Sequence, residues 1–444
     1  MSTVTWLHLS DWHQKGADFD RKVVRNALLK DLRTRKLIDQ RLETVDFVIF
    51  SGDLAFSGQD SEYKTAATEF LEPVLEAVSV SKARFFLVPG NHDLDRQELE
   101  LFASWCGLFR ERKKVAEALT NPYRRDVLFH PMRGYSRFVH SFLGSDVIRE
   151  PAYSYAVAFE AGRRKIAIVG LNSAWMSGQR IVEGDVNDYG ALILGEPQFF
   201  DHLQSPDVIE ADLVIALMHH PFAWFSDVEG RLFVEQCITR GVHFVLRGHE
   251  HESQVSIPSG TGGSHAVISA GSCYDRREYA NGYNFVHIDF AAASGTAFLR
   301  RYDIKSGLFQ KDTVTTGDDT PGYHQFILPS KAVKPAQRPA SPLRTAIEVS
   351  LVKDYRDPEV FQALDIYEER IPANERFETP DIVRWLREDQ EQRSLSSAGP
   401  WDYFVVAKAN GKVCGCTLVH YYPICSTCFC RLSRRRKGNF GRQG

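Results

Sequence analysis

Five short clusters of histidine, aspartate and asparagine punctuate the stretch from Leu9 to His251. LSDWH carries Asp11 and His13, FSGDLAFSG carries Asp53, LVPGNHD carries Asn91, His92 and Asp93, ALMHHP carries His219 and His220, and LRGHEH carries His249 and His251. Imidazoles, carboxylates and one amide carbonyl, with no thiolate among them, suit Mn, Fe or Zn better than Cu(I) or an iron–sulfur cluster. Two such ions about 3.5–4 Å apart can hold both the attacking and the leaving oxygen of a phosphoryl transfer. They need a carboxylate whose two oxygens bridge them, and terminal ligands that leave room for water and substrate. Asp53 is the expected bridge, because Gly52 beside it permits close backbone approach at a tight turn. Asp11, His13 and His251 are expected to complete the shell of one ion, and Asn91, His219 and His249 that of the other. A hydroxide shared by the ions would attack phosphorus in line. His92 would protonate the leaving oxygen or stabilise its charge, with Asp93 orienting the ring.

These clusters need elements that deliver them to one place. Short, nearly all-apolar runs precede them: Thr5–Ser10, Asp46–Ser51, Arg84–Val88, Lys165–Leu171, Asp212–Met218 and Val242–Leu246. Strands buried on both faces of a helix-covered sheet read this way. Each polar cluster sits at the carboxyl end of such a run, where open α/β sheets place their ligand sites. Helical patterns cover Arg21–Arg41 and Tyr63–Val78. The segment Leu94–Arg149 is too long for a simple connection and is expected to form a helical insertion that shapes substrate access. Ala266–Ala270, Asn284–Phe290 and Thr296–Tyr302 suggest further strands that complete a sandwich.

The ordered set Asp-x-His, Gly-Asp, Gly-Asn-His-Asp, His, Gly-His-x-His over about Thr5–Tyr302 resembles the calcineurin-like metallophosphoesterase superfamily, nearest to its bacterial cyclic-nucleotide-phosphodiesterase-like branch. The resemblance implies an α/β, four-layer sandwich of two mixed β-sheets flanked by helices, a binuclear metal centre and phosphomonoesterase or phosphodiesterase activity. It also implies the ligand roles above and assigns the metal to His219, leaving His220 as an outer-shell donor. The expected function is metal-dependent hydrolysis of a phosphoester, a phosphodiester foremost, on a substrate that could be nucleotide-like. The alternatives are a nucleotide- or nucleic-acid-binding regulatory module with little turnover, and a bifunctional protein with an N-acetyltransferase domain.

The 444 residues allow two or three domains. A formal net charge of -3 argues against a globally polyanion-binding protein. Met1–Ser10 lacks the pattern of a signal peptide, no stretch is long and apolar enough for a membrane helix, and eight cysteines describe no disulfide framework. The expectation is a cytoplasmic protein with no membrane partner. Residues 1–327 are expected to form the phosphoesterase domain, with 94–149 inserted. LPSKAVKPAQRPASPLR, 328–344, reads as a linker. Residues 345–423 show a helix–helix–hairpin pattern with an Asn410-Gly411 turn, resembling a partial α+β GNAT-type acetyltransferase that stops before a CoA-binding loop. Residues 424–444 form a Cys/Arg-rich tail expected to be disordered, which an abrupt change of composition attributes to a frameshift. Cys414, Cys416, Cys425, Cys428 and Cys430 match no common zinc spacing.

The remaining candidates carry ordinary expectations. His8, His243, His265 and His287 fall in strands and are expected to be core or edge residues, and His130, His140 and His202 surface residues. Cys106, Cys237 and Cys273 are expected to be small buried hydrophobes. Trp12 either packs under the site or lines its cleft, and Arg247 is a solvated side chain or a phosphate contact.

Overall fold

Alternation of side chains along the apolar runs decides the layers. In the computed structural model, which describes residues 2–98, 109, 111–145, 147–178, 181–182, 185–186, 188–257, 259–260, 263–316, 322–328, 347–352, 354–370, 378–395, 401–409 and 412–421, the chain forms two compact units, Met1–Pro335 and Ala336–Gly444. The main strands of the first unit are β1 (Thr3–Leu9), β2 (Phe47–Phe50), β3 (Phe85–Leu87), β4 (Ser154–Ala161), β5 (Arg164–Leu171), β6 (Leu213–Leu217), β7 (Phe244–Arg247), β8 (Gln254–Ser256), β9 (Ala266–Ser269), β10 (Gly282–Asp289), β11 (Ser294–Asp303), β12 (Leu308–Lys311) and β13 (Tyr323–Ile327). One mixed sheet runs β12-β11-β10-β1-β2-β3, with β13 also paired to β11. The other runs β8-β9-β7-β6-β5-β4. The strands that feed the polar clusters are parallel neighbours within their sheets, β1 with β2, β2 with β3 and β6 with β7, so within each sheet their carboxyl ends share one edge.

Strand β6, LVIAL, shows the period-2 division. Leu213, Ile215 and Leu217 join a core with residues of the first sheet, while Val214 and Ala216 join a second core with Val234 and Ile238 of the helix Arg231–Gly241. Trp6 stacks on Phe47 within its own sheet at 5.5 Å and meets Phe244 of the other sheet edge-on at 5.5 Å. The helix Phe19–Arg33 contributes Val24, Leu28 and Leu32 to the first core. The result is two mixed sheets, face to face, flanked by helices. Strands β4, β8, β12 and β13 have no counterpart among the expected runs.

The expected helix Arg21–Arg41 ends at Arg33 and continues as two 3-10 turns. Asp60–Val78 is helical throughout but opens into a π turn at Ala67–Leu71. Pro73 explains this, since its ring clashes with the carbonyl four residues back and it supplies no N–H. The π turn carries Phe70, which stacks on Trp12 at 3.9 Å, so Trp12 packs under the site. The 94–149 segment holds the helices Arg112–Thr120, Pro122–Leu128 and Arg133–Leu143.

In the second unit, Ile347–Val352 pairs antiparallel with Trp401–Ala409, which pairs antiparallel with Lys412–Tyr421. The helices Pro358–Arg370 and Thr379–Leu395 contribute Val360, Leu364, Ile382 and Leu386 to a small core with Val352 and Val406. Cys106, the Asn410-Gly411 turn, all but Leu328 of the 328–344 segment, and the 424–444 tail lie outside the described residues. Among the described residues, no helix is long and apolar enough to cross a membrane.

Candidate metal centre

The ligand loops leave their strands and immediately brace one another. Asp11 N–H donates to the Gly52 carbonyl at 2.9 Å, His13 N–H to the Asp53 carbonyl at 3.0 Å, and Gly248 N–H to the His219 carbonyl at 3.1 Å. Among the described residues, eight non-glycine residues have positive φ, and five of them are Asp11, His13, Asp53, His249 and His251. Such a backbone costs an L-residue about 1–2 kcal/mol and concentrates where function requires a particular side-chain direction. Gly52 has φ +106, and a Cβ there would lie 2.5 Å from His219 Nδ1. Gly90 is held just as close, since a Cβ on it would overlap Asp53 Oδ1.

All seven candidate ligands converge. Around Asp11, His251 Nε2 lies 3.3 Å and His13 Nε2 3.7 Å from Oδ1, and the two rings approach at 3.2 Å, Nε2 to Nε2. Around Asn91, Oδ1 lies 3.0 Å from His219 Nε2 and 3.1 Å from His249 Nδ1, with those nitrogens 3.3 Å apart. Asp53 stands between the groups, its Oδ2 3.3 Å from His219 Nε2 and 3.9 Å from His13 Nδ1.

These atoms fit a pair of divalent ions. Ring nitrogens facing each other cannot all carry protons, and their spacing is that of donors sharing a cation with bonds of about 2.0–2.2 Å. Asp11 Oδ1 and His13 Nδ1 are buried without a hydrogen bond, which a bound cation would satisfy. Asp11, Asp53 and His219 form one potential ligand group, and His13, Asp53 and His92 another. That places Asp53 where a bridge is needed.

The electrostatics point the same way. Burial pushes the Asp11 carboxyl up, but contact with His251 and the field of His219 outweigh it and hold it low. Burial likewise opposes ionisation of Asp53, and His219 and His92 overcome it. Burial lowers His219 and His251, yet Asp53 lifts the former and Asp11 the latter, each to about 9. His13 and His249 stay depressed, near 4 and 3, because burial dominates.

Hydrogen bonding separates His219 from His220. His219 Nδ1 lies 2.7 Å from the Ser51 carbonyl, which only accepts, so Nδ1 carries the proton and Nε2 is the donor toward the cluster. Ser173 Oγ accepts the N–H groups of His219 and His220 and lies 3.0 Å from His220 Nδ1. Its hydroxyl proton therefore goes to Nδ1 and the ring proton to Nε2, so the tautomer, rather than distance, separates His220 from His219 and His249, with which it forms a potential ligand group.

Asp93 does not orient His92. Its oxygens accept the N–H groups of Asp53, Leu54, Ala55 and Gly90 at 2.9–3.3 Å, and the Tyr63 hydroxyl. The carboxyl is needed where two ligand loops meet, so it ties them together. Burial and the charge of Asp53 push it up to about 7. The His92 ring is held instead by the Phe56 carbonyl, 2.8 Å from Nδ1, which leaves Nε2 for the cluster.

Sequence reading missed Asp275, whose Oδ2 lies 3.4 Å from His251 Nδ1; only its position after the Ala266–Ser269 strand hinted at it. Arg247 pairs with Glu250 at 2.5 Å. His8, His243 and His287 are buried, whereas His130, His140 and His202 are half-buried rather than surface residues, with His202 Nε2 3.1 Å from Ser154 Oγ. Cys273 is buried and Cys237 half-buried.

The chain matches the calcineurin-like phosphoesterase family over residues 4–253 and belongs to it. It is 21% identical over 304 residues to the uncharacterized metallophosphoesterase-like protein YydB of Bacillus subtilis (strain 168), covering 67% of this chain and 59% of that relative's length. Among solved structures it is similar to GAP50, the anchor in the inner membrane complex of Plasmodium, with TM-score 0.37 and 13% identity over 74% of this chain and 90% of that one. It is also similar to PhoD, with TM-score 0.41 and 12% identity over 68% and 66%.

Proposed function

We propose that this chain hydrolyses phosphoesters, phosphodiesters foremost, at a binuclear metal centre held by Asp11, His13, Asp53, Asn91, His219, His249 and His251. The observation that carries the reading is the convergence of these donors, 3.0–3.9 Å apart, into two groups about Asp11 and Asn91 with Asp53 in reach of both. Two divalent ions such as Mn, Fe or Zn, when bound, supply Lewis-acid activation of water and neutralise charge on the phosphoryl group. The chain's own part is positioning and proton handling. Asp53 Oδ1 accepts the His92 N–H at 2.7 Å, which fixes the bridge relative to the acid. With Nδ1–H on the Phe56 carbonyl, the doubly protonated His92 ring would present its Nε2–H to the leaving oxygen. Asp93 locks the two loops that carry these groups.

The same proposal includes the cyclic-nucleotide-phosphodiesterase-like branch, a nucleotide-like substrate and a cytoplasmic location, all supported by the motif set and the chain's composition. For the second unit we infer the opening half of a GNAT-type fold without acetyl transfer, supported by its helix–helix–hairpin order.

The test is hydrolysis of bis(p-nitrophenyl) phosphate and p-nitrophenyl phosphate by metal-stripped protein, with Mn, Fe(II), Zn or Mg added back. Activity restored by metal, faster on the diester and absent in Asp53→Ala, is expected. Full occupancy of both metal sites with no hydrolysis of either ester would overturn the reading in favour of a binding module.

A further inference from the structure

Lys15 and Arg96 come from different ligand loops, two residues past His13 and three past Asp93, yet they meet at one aromatic ring. Lys15 Nζ lies 3.7 Å from the centre of the Phe56 ring, and the Arg96 guanidinium carbon 5.4 Å from it. The two cations therefore stand no further apart than the sum of those distances. Phe56 in turn stacks on His92, with ring centres 5.1 Å apart and planes inclined by 29°.

Both cations are exposed, and among the described residues neither has a carboxylate at ion-pair distance. Arg21, Arg25, Lys36, Arg41 and Lys82 each have one. Arg96 Nη2 does approach His92 Nδ1 at 2.9 Å. That nitrogen already donates to the Phe56 carbonyl, and a guanidinium only donates, so the contact gives Arg96 no acceptor. Cation–π contact holds the two charges in place without neutralising them.

We propose that Lys15 and Arg96, seated on Phe56, form an anion subsite for a second phosphate group of the substrate, beside the phosphoester that is hydrolysed. The proposal rests on the phosphoesterase reading and narrows its substrate class. A point-charge lysine beside a forked guanidinium is the pairing that recognises phosphate oxygens. Arg96 reaches His92 at Nδ1, not at the Nε2 assigned to the leaving oxygen, so the subsite is assigned to a phosphate other than the one under attack. A phosphate displaced along the substrate would reach it. The second phosphate belongs either to a small bisphosphorylated molecule or to the next linkage of a nucleic-acid strand.

The experiment measures inhibition of bis(p-nitrophenyl) phosphate hydrolysis by the metal-loaded full chain. The inhibitors are ethyl and propyl phosphate, set against ethanediol and 1,3-propanediol bisphosphate. The second phosphate is expected to tighten inhibition about tenfold in the wild type, as a charge-assisted contact to two cations should. In K15A/R96A that ratio falls to about one, while the conservative Arg96→Lys keeps part of it. Chelation of free metal by the bisphosphates is common to every variant and cancels in the comparison. Equal inhibition by mono- and bisphosphates in the wild type, or a ratio that survives the double substitution, overturns the subsite while the phosphoesterase reading stands. Absence of any diester hydrolysis by the metal-loaded wild type overturns that reading, and the subsite with it. Competition by a short oligothymidylate that is tighter than by the bisphosphates supports the subsite with a strand as its source. Weaker competition supports it with a small molecule as the source.

Discussion

Asp275 Oδ2 lies 3.4 Å from Nδ1 of His251, on the ring edge opposite the Nε2 that meets Asp11 at 3.3 Å. A carboxylate behind a metal-binding imidazole fixes the ring's tautomer and orientation and raises its basicity. Asp275→Asn should therefore weaken metal binding about 10–100-fold without unfolding the protein. Chelator competition measures this, and an affinity equal to the wild type's would remove Asp275 from the site.

Metal loading should be strongly linked to protons. In the metal-free protein His219 and His251 titrate at about 9, so both are charged at neutral pH, and each must lose the Nε2 proton to bind an ion. Loading near neutral pH should release about two protons, and the release should vanish above the titration of both rings. Calorimetry in buffers of different protonation enthalpy reads the number directly; heats independent of buffer would contradict it. The same shifts carry a stability consequence. Both values lie above the ordinary 6.5, so their contribution is fully present below 6.5 and is lost as pH rises through about 9. Metal-free protein should melt lower on the alkaline side of 9 than at 6.5, and added metal should flatten the difference.

His92 and Asp93 are adjacent in sequence and should fail in different ways. His92→Ala should keep both metals and lower kcat by about 10²–10⁴-fold, the scale of a lost general acid. Asp93→Asn places an amide where both oxygens accept N–H or O–H donors, and should cost roughly 3 kcal/mol of stability. Metal content, turnover and denaturant midpoints on the two variants separate the roles. A stable, fully loaded but slow Asp93→Asn protein would return Asp93 to the catalytic step.

Gly90→Ala tests the bridge from the backbone side. The added methyl group would overlap Asp53 Oδ1 and the Asp53 backbone nitrogen, so the loop must shift and carry the carboxylate out of its place in the cluster. Metal content after dialysis should drop below that of the wild type. Full retention would mean that Asp53 is not a required ligand in its present pose.

Much of this site could be read from the sequence because each ligand follows an apolar run. The runs ending near Leu9, Phe50, Leu87, Leu217 and Arg247 are strands of the two sheets, and the polar residues after them meet in one cluster. What could not be read depends on the third dimension. Strand β4, SYAVAFEA, is half-exposed over much of its length and lacks the all-apolar signature, and β12 is a short edge strand. The role of Asp93 required knowing that the loops after β2 and β3 lie side by side. Its neighbour in sequence, His92, was the natural partner to expect, yet the Phe56 carbonyl from the other loop holds that ring. Asp275, Lys15 and Arg96 belong to no motif and emerge only when distant loops close on the same few ångströms.

The left-handed backbone at Asp11, His13, Asp53, His249 and His251 sets chemistry against robustness in this chain. Glycine is the residue that adopts those angles without strain. Replacing one of these ligands with glycine would relieve about 1 kcal/mol or more of backbone strain as it removed a metal donor. A sequence tuned only for a durable sandwich would drift toward glycine at these five corners, and its melting temperature would rise as its chemistry disappeared. Histidine and aspartate at all five show a fold that gives up some sturdiness to keep its reactive groups aimed inward.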